Sequence, residues 1–315
     1  MLTDAFFHTI SRRLIQCAMK KIWLLLFIAT LFTLPMLYTK QKGVELVEIE
    51  EKCEYSITVE GIQESIPLEQ YIIGVVAAEM PASFHPEALK AQAIAARTYV
   101  IQATNFGQTA VKPTTAHQVF ATPQERQEKW LAAFAEYEQK ITDAVQMTEN
   151  QILTYEGKPI SAMFHASSNG FTESSDNYSG TSLPYLQITS TPEEDVQTVT
   201  KTIEQLNKAL NVNWTQQDYL GLQLERNDSG RVQTVSGNRT FEGRQFRTLL
   251  ALRSTDFTLK KNGASIDITT EGYGHGVGMS QYGANEFAKQ NHTVEHILQH
   301  YYPQTVQQSA CMNKK

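Results

Sequence analysis

The sequence contains few cysteines and no excess of basic residues. Its three cysteines, Cys17, Cys53 and Cys311, are far apart and form no Cys-x-x-Cys pair, which excludes a disulfide scaffold and a cysteine-rich zinc site. Acidic residues (33) outnumber basic ones (27), so the net charge is −6 and no positive field is available to steer nucleic acid. Internal repeats and low-complexity segments are also absent. The composition is that of a globular protein, and nucleic acid is not an expected partner.

Several common site motifs are missing as well. The glycine-rich stretch 272–284 has no Lys-Ser or Lys-Thr pair, and Val277 stands where GxGxxG has its third glycine, so a nucleotide site is not expected. His292, His296 and His300 repeat at a spacing that can bind metal, but HTVEH is not HExxH and no acid lies at the required place. The alternative is a partly buried helix face. We expect neither a metal nor a cofactor.

One long uncharged run is present, at 22–38. A buried core helix, a cleaved signal peptide and an uncleaved signal anchor are the alternatives. A core helix would normally have a polar face, and no small-residue cleavage site follows this run. Four basic residues precede the run, which favours a cytoplasmic N-terminus. We therefore predict a cytoplasmic segment at 1–21, a single-pass transmembrane anchor at 22–38, and an extracytoplasmic remainder.

The remainder divides into a tether and first strand (39–66), one large folded region (67–305) and a C-terminal tail (306–315). Apolar periodicity and proline positions predict helices over 67–80, 86–100, 122–146, 202–210 and 284–300, with short strands after residue 150. The expected fold class is α+β. A helical N-terminal part and a β-rich C-terminal part would form two lobes with a cleft.

Glu79 has the most informative position of the acidic residues. It lies on the apolar face of the first predicted helix, in the last turn before Pro81. A helix C-terminus disfavours negative charge and apolar neighbours disfavour ionisation, so both effects raise the carboxyl pKa. A carboxyl group that keeps its proton near neutral pH suits a general acid. The alternative is a structural carboxylate at a helix end, paired with an arginine.

Three further features have both a functional and a structural interpretation. Arg97, on the second predicted helix, is either a salt-bridge partner or a two-pronged clamp on a carboxylate or on sugar oxygens. The polar turn at 164–173 resembles a serine nucleophile site without the GxSxG elbow, and a turn that caps a strand is the alternative. His275, between two glycines, either orients a substrate or bonds a backbone carbonyl.

Five segments occur in one order along the chain: AAEMP, AARTY, FHASSNGFTE, FEGRQFRTLLALRSTDF and GYGHGVGMSQYGA. Together they resemble the stage II sporulation protein D family of peptidoglycan lytic transglycosylases, over about residues 45–305. Some relatives carry a Cys/His zinc site after the FHxSSxG segment. No cysteine lies in that stretch here, so structural zinc is not expected.

The resemblance implies a non-hydrolytic cut of glycan strands between N-acetylmuramic acid and N-acetylglucosamine, which leaves a 1,6-anhydro-muramyl end. It makes 67–305 the catalytic region and the glutamate of AAEMP, Glu79, the catalytic acid. Eight further residues would line the cleft and hold the sugar: Arg97, Tyr99, His165, Ser167, Ser168, Tyr185, His275 and Gln281.

The resemblance also implies a setting. The chain would act during forespore engulfment, in the septal and engulfing membrane, on strands stripped of their stem peptides. Its partners would be the sporulation amidase, stage II sporulation protein P, and a membrane protein M. Two alternatives remain open: a cell-wall glycan-binding or amidase-activating module without catalysis, and a lysozyme-like hydrolase that produces reducing ends.

Overall fold

The computed structural model describes residues 54–114 and 117–313. The cytoplasmic segment and anchor predicted at 1–38 lie outside these residues. Within the described part, none of the helices combines the length and apolar character that crossing a bilayer requires. The described residues form one compact unit.

The described chain mixes helices and short strands, which confirms the α+β class. The ten helices are α1 (Leu68–Glu79), α2 (Pro86–Ala103), α3 (Pro123–Trp130), α4 (Phe134–Gln146), α5 (Ser175–Ser179), α6 (Ile203–Leu210), α7 (Gln216–Leu220), α8 (Gly243–Leu250), α9 (Gln281–Lys289) and α10 (Val294–Tyr301). The strands are β1 (Ser56–Ile57), β2 (Ile66–Pro67), β3 (Gln151–Tyr155), β4 (Lys158–Pro159), β5 (Phe164–His165), β6 (Val196–Thr202), β7 (Gln223–Arg226), β8 (Val232–Ser236), β9 (Phe241–Glu242), β10 (Asp256–Asn262), β11 (Ser265–Glu271), β12 (Met279–Ser280) and β13 (Val306–Ser309).

The buried apolar residues form two separate clusters. The first, which we call the helical core, draws on residues 55–186 and 277–310. Helix α2 lies at its centre and contacts α1, α4, α9, α10 and β3. The second, the inserted core, draws only on residues 206–268. The strands lie mostly after residue 150, as expected, but the two clusters do not coincide with a helical half and a β-rich half, because α9 and α10 return to pack against α2.

The helices begin and end where local chemistry dictates. Proline occupies the first turn of α2, where its missing N–H costs no hydrogen bond, and the His85 ring accepts from the Glu87 N–H at 3.3 Å. Helix α1 ends at Glu79 because Met80, which precedes Pro81, is extended. This break places the Glu79 carboxyl at the end of a helix in which eight of the twelve residues are buried.

The inserted core is built on two small antiparallel sheets. Strands β10, β11 and β6 form one, with Asp256 opposite Glu271 and Ser265 opposite Thr202. Strands β7, β8 and β9 form the other. Helix α8 packs on β8, with Phe246 stacked on Phe257 at a ring-centroid distance of 5.3 Å.

Three predicted boundaries differ in the structure. The helix expected over 122–146 is two, α3 and α4, because Leu131 adopts a φ of 47° between them. The helix expected over 284–300 is also two, α9 and α10, with Asn291 at a φ of 66° between them. The tail expected at 306–315 begins with β13, which pairs antiparallel with β3 in a sheet with β4.

The glycine-rich loop brings distant segments together. Strand β12 runs parallel to β5, and the Met279 N–H donates to the Met163 carbonyl at 3.1 Å. Gly278 has a φ of 73°, and a Cβ there would overlap that same carbonyl oxygen. Only glycine permits so close an approach of two backbones with positive φ. The loop therefore lies directly against the polar turn at 164–173.

Glu173 connects the two cores. Its buried carboxylate accepts from Asn227 Nδ2 at 2.7 Å and from Ser229 Oγ at 2.9 Å, both in the inserted segment. It also accepts from Ser174 N at 2.9 Å and Asn177 Nδ2 at 3.0 Å. Four donors thus satisfy this acid completely within the fold.

Candidate active site

Two cavities of about 480 and 560 Å³ lie where α1, the polar turn and the glycine-rich loop meet. They share four lining residues: Glu79, Ala166, Tyr273 and Gln281. Glu79 therefore lies in the wall common to both. A chain-like ligand could pass from one cavity to the other beside this carboxyl group.

Glu79 is half-buried and sparsely hydrogen-bonded. Its Oε1 accepts from the Val119 N–H at 2.7 Å, and no second donor reaches it from the described residues. Burial raises the pKa of Glu79, and the bond from Val119 only partly opposes this. The end of α1 also disfavours a negative charge here. The group is thus suited to hold a proton and to release it to a ligand.

The first cavity also contains an ionised carboxylate. Arg253 donates to both oxygens of Asp195, at 2.8 and 2.6 Å, and Ser167 Oγ donates at 2.5 Å. Burial alone would raise the pKa of Asp195, but these hydrogen bonds and the Arg253 charge lower it. Arg253 also lies over the Tyr273 ring, 4.7 Å from its centroid. One cavity therefore holds two acids whose surroundings shift their pKa values in opposite directions.

The second cavity is lined by aromatic rings, histidines and one arginine. Its walls include Tyr99, His117, His165, Tyr178, Arg247 and His275. Burial, together with the charges of Arg247 and Arg231, lowers the pKa of His275 to about 4. Its Nδ1 accepts from the Val277 N–H at 3.0 Å, so the neutral ring carries its proton on Nε2.

His165 is neutral for similar reasons. Burial lowers its pKa well below the ordinary value, and the charges of His275 and Arg231 add to the effect. Its Nδ1 donates to the Val277 carbonyl at 3.2 Å, which leaves Nε2 to accept from Ser168 Oγ at 2.6 Å. Both ring nitrogens of His165 are therefore occupied within the fold, and the second cavity contains neutral histidines in place of cationic ones.

The structure brings together six of the nine residues that the sequence singled out. Those in the cavity walls are Glu79, Tyr99, His165, Ser167, His275 and Gln281. Arg97, Ser168 and Tyr185 line neither cavity.

Arg97 requires a correction. Its side chain is fully buried and donates to both oxygens of Glu69, at 2.9 and 2.5 Å, and to the carbonyls of Val145 and Gln151. It therefore connects α2 to the start of α1 and to β3, and it is not a clamp for sugar. The structural alternative, an ion pair, is confirmed, although the partner is Glu69 and not Glu79.

Ser168 and Tyr185 also have structural roles. Ser168 is fully buried; its hydroxyl bonds His165, and its N–H donates to Glu193 at 2.8 Å, so no substrate can reach it. Tyr185 is 8% exposed, and its ring lies 5.7 Å from that of Tyr155. In the polar turn, the serine that bonds a histidine is thus buried, and Ser167, which lines the first cavity, donates to Asp195, so a structural turn is favoured over a serine nucleophile site.

Several cavity residues were not predicted. Arg247 and Arg253 both fall within the FEGRQFRTLLALRSTDF segment, so the sequence contained a signal for them. Asp195 lies in an acidic stretch, 193–195, whose pattern alone indicates only an exposed turn. Asp195 contacts Ser167, which lies in a separate segment, and a local sequence pattern cannot predict a contact of this kind.

No group of three His, Cys, Asp or Glu side chains suited to a metal ion occurs in the described part of the chain. The rings of His292 and His296 stack at 4.2 Å, while His300 Nε2 donates to the Ser190 carbonyl at 2.7 Å. These three histidines therefore do not converge on one point.

Comparison with known proteins assigns the chain to a class of bacterial sporulation proteins. The family model described as stage II sporulation protein matches residues 58–155, which contain α1 and Glu79. Stage II sporulation protein D of Bacillus amyloliquefaciens is 42% identical over 253 residues, which cover 76% of this chain and 73% of the relative. The Bacillus subtilis protein of the same name is 41% identical, covering 77% and 74%.

The chain therefore belongs to the stage II sporulation protein D family. It is also similar to a Bacillus subtilis protein named amidase enhancer, with 31% identity over 74% of this chain and 39% of that protein. The family resemblance drawn from the five segments is thus confirmed.

Proposed function

We propose that this chain is a membrane-anchored lytic transglycosylase that cuts peptidoglycan glycan strands between N-acetylmuramic acid and N-acetylglucosamine, with Glu79 as its acid and base. The observation that carries the proposal is the position of Glu79. Its carboxyl group is common to both cavities, has one hydrogen-bond donor, and has a raised pKa because it is buried. The two cores would act as two lobes around this cleft.

The reaction needs one carboxyl group acting twice. Protonated Glu79 gives its proton to the glycosidic oxygen as the bond from that oxygen to the muramyl C1 breaks. The resulting Glu79 carboxylate takes the proton of the muramyl 6-hydroxyl as O6 attacks C1. The C1–O6 bond closes the 1,6-anhydro ring, Glu79 recovers its proton, and no water is consumed.

Asp195 would help while C1 is positively charged. Its carboxylate stays ionised in the first cavity because Arg253 and Ser167 hydrogen-bond it. The ion pair with Arg253 carries no net charge, but it holds the Asp195 oxygens in a fixed orientation, and oxygens already oriented towards a developing cation lower the barrier without rearrangement. Tyr99 and Gln281 supply groups suited to hydrogen-bond sugar hydroxyl and acetamido groups, while the neutral His275 ring, hydrogen-bonded to the backbone of Val277 and Phe164, shapes the wall.

The test is to incubate the full-length protein in detergent with peptide-free glycan strands and weigh the products. Products lighter by one water than hydrolysis fragments support the proposal, provided Glu79→Gln abolishes them. Glu79→Gln keeps an oxygen that accepts from Val119, so the fold should persist. Glu194→Gln is the matched control, because Glu194 is an exposed carboxylate of the same cavity. Reducing-end fragments would instead identify a hydrolase.

A second candidate follows from the similarity to the protein named amidase enhancer. In that case the cleft would bind glycan, and the chain would stimulate a partner amidase without cutting strands. Intact strands that stay bound to both wild type and Glu79→Gln would favour this second function. Faster amidase turnover on adding Glu79→Gln would favour it further.

The location and partners are also proposals. We infer that the run at 22–38 anchors the protein in the septal and engulfing membrane, with the catalytic region outside. The family's role in sporulation supports an assembly with the amidase, stage II sporulation protein P, and membrane protein M during engulfment. Co-purification from sporulating cells with and without residues 1–38 would test this assembly.

A further inference from the structure

Arg247 lies in the wall of the second cavity and forms no ion pair with an acid among the described residues. Each arginine in the ion pairs of the described chain has a carboxylate within 2.6 Å: Arg97, Arg126, Arg226 and Arg253. Arg247 takes part in none of these pairs. Its Nε donates to the Leu252 carbonyl at 3.2 Å and one Nη to the Arg253 carbonyl at 2.9 Å.

These two bonds fix the guanidinium without cancelling its charge. They come from the backbone just after α8, where Ala251 turns the chain with a φ of 52°. The other Nη has no partner among the described residues, and the side chain lies in the wall of the second cavity. A rigid planar fork with free N–H groups matches the geometry of a carboxylate.

The rest of the cavity does not supply that carboxylate. Among the residues lining it, Glu79 is the one carboxylic acid, and burial favours its protonated form. His165 and His275 are neutral, since burial lowers the pKa of both. Arg231, which is 2% exposed, lies behind the wall and has an Nη1 with no partner, but the acids Glu173, Asp256 and Glu193 act on its charge. Among the lining residues, Arg247 is therefore the one arginine, and no ionised carboxylate beside it offsets its charge.

We propose that Arg247 binds the free carboxylate of the lactyl group on the muramyl residue at the cleavage site. This inference rests on the proposed function. The lactyl group is the anionic part of a muramyl sugar, and it is a carboxylate only where no stem peptide is attached. An attached peptide converts it to a neutral amide, which cannot form a charged pair with the guanidinium. Arg247 thus selects stripped strands by charge.

The test compares binding of two glycan ligands to full-length protein carrying Glu79→Gln, which cannot turn them over. One ligand is peptide-free strand with free lactyl carboxylates, and the other is the same strand with those groups converted to methylamides. We expect about 10- to 100-fold tighter binding of the carboxylate strand, as for a charge-assisted hydrogen-bonded pair. Adding Arg247→Gln should abolish the preference, and Arg247→Lys should keep part of it.

Arg244→Gln is the matched control, because Arg244 lies on the same helix, is exposed and lines only the neighbouring cavities. It should leave the preference intact. Equal binding of the two strands by Glu79→Gln, or a preference that survives Arg247→Gln, would overturn the inference. If wild type makes anhydro products but Glu79→Gln binds the two strands equally, this inference fails and the proposed function stands. If Glu79→Gln prefers the carboxylate strand but wild type cuts no strand, the proposed function fails and Arg247 is still a carboxylate-binding residue.

Discussion

Glu79 and Glu173 are both carboxyl groups removed from bulk water, and they occupy opposite kinds of site. Glu173 is 2% exposed and accepts four hydrogen bonds from residues of both cores. Glu79 lies in a cavity wall and accepts one. A buried acid with every lone pair occupied stabilises the fold, because unfolding must replace all four bonds.

The same comparison holds for two arginine–carboxylate pairs. Arg97 and Glu69 join three elements inside the helical core, whereas Arg253 and Asp195 face the first cavity. Both pairs have two-pronged geometry, so geometry alone does not identify function. What distinguishes them is that Asp195 lines the cavity that contains Glu79, whereas Glu69 lines neither cavity.

The largest expected effect is on activity at Glu79. Glu79→Gln removes the transferable proton while keeping the oxygen that accepts from Val119. We expect turnover of peptide-free strands to fall by about 10²-fold or more, as for loss of a general acid. Thermal unfolding should be little changed. If Glu79→Gln retains turnover, Glu79 is not a catalytic acid and no longer differs in role from Glu173.

The reciprocal effect is on stability at Glu173. Glu173→Gln places an amide N–H₂ against donors from Asn227 and Ser229. Stability should fall by about 3 kcal/mol, the cost of leaving buried polar groups unsatisfied. Urea unfolding measures this directly, with exposed Glu271→Gln as the control. If Glu173→Gln lowers the free energy of unfolding no more than Glu271→Gln does, the four hydrogen bonds of Glu173 do not identify it as a structural acid.

A smaller effect on activity is expected at Asp195. Asp195→Asn keeps an oxygen and the shape of the side chain but removes the negative charge that Arg253 orients. We expect kcat to fall by about tenfold, the lower part of the range for one electrostatic contact in an active site. KM should change less, since the charge acts mainly in the transition state. A change confined to KM would assign Asp195 to ground-state binding instead.

The smallest effect concerns pH. The pKa of Glu79 is raised above its ordinary value of 4.5 because the group is buried. In the unfolded chain this carboxyl group ionises at a lower pH than in the folded chain. Its contribution to the free energy of unfolding is therefore complete below pH 4.5 and is lost as the pH rises through the folded pKa. Activity should fall over the same interval, because the acid must be protonated. Thermal unfolding against pH should show a shallower decline for Glu79→Gln than for wild type.

Local patterns were sufficient to predict α1 and the position of Glu79. An apolar face and a terminating proline are properties of adjacent residues, so the sequence contains them in full. The orientation of Arg97 was not predictable in this way. Helix α2 is buried on nearly every side, so its small-residue stripe does not show which side faces the cleft.

Long-range contacts account for the remaining differences. Leu131 adopts a positive φ between α3 and α4, and no glycine, asparagine or proline beside it predicts that the helix is interrupted there. The pairing of β13 with β3 depends on residues about half the chain away. The assembly of Asp195 with Arg253 and Ser167 likewise joins three segments that only the tertiary fold brings together.

The closing strand has a consequence for how the molecule is made. Strand β13 pairs with β3, and the Tyr55 hydroxyl donates to the Ala310 carbonyl at 3.2 Å, so the first and last described segments meet. Such distant contacts cannot form until the segment that contains β13 has been synthesised, and they slow folding because a long loop must first close. Glu79 and Gln281 likewise share a cavity only once α9 has emerged from the ribosome. The nascent chain therefore carries the acid long before it acquires the cleft.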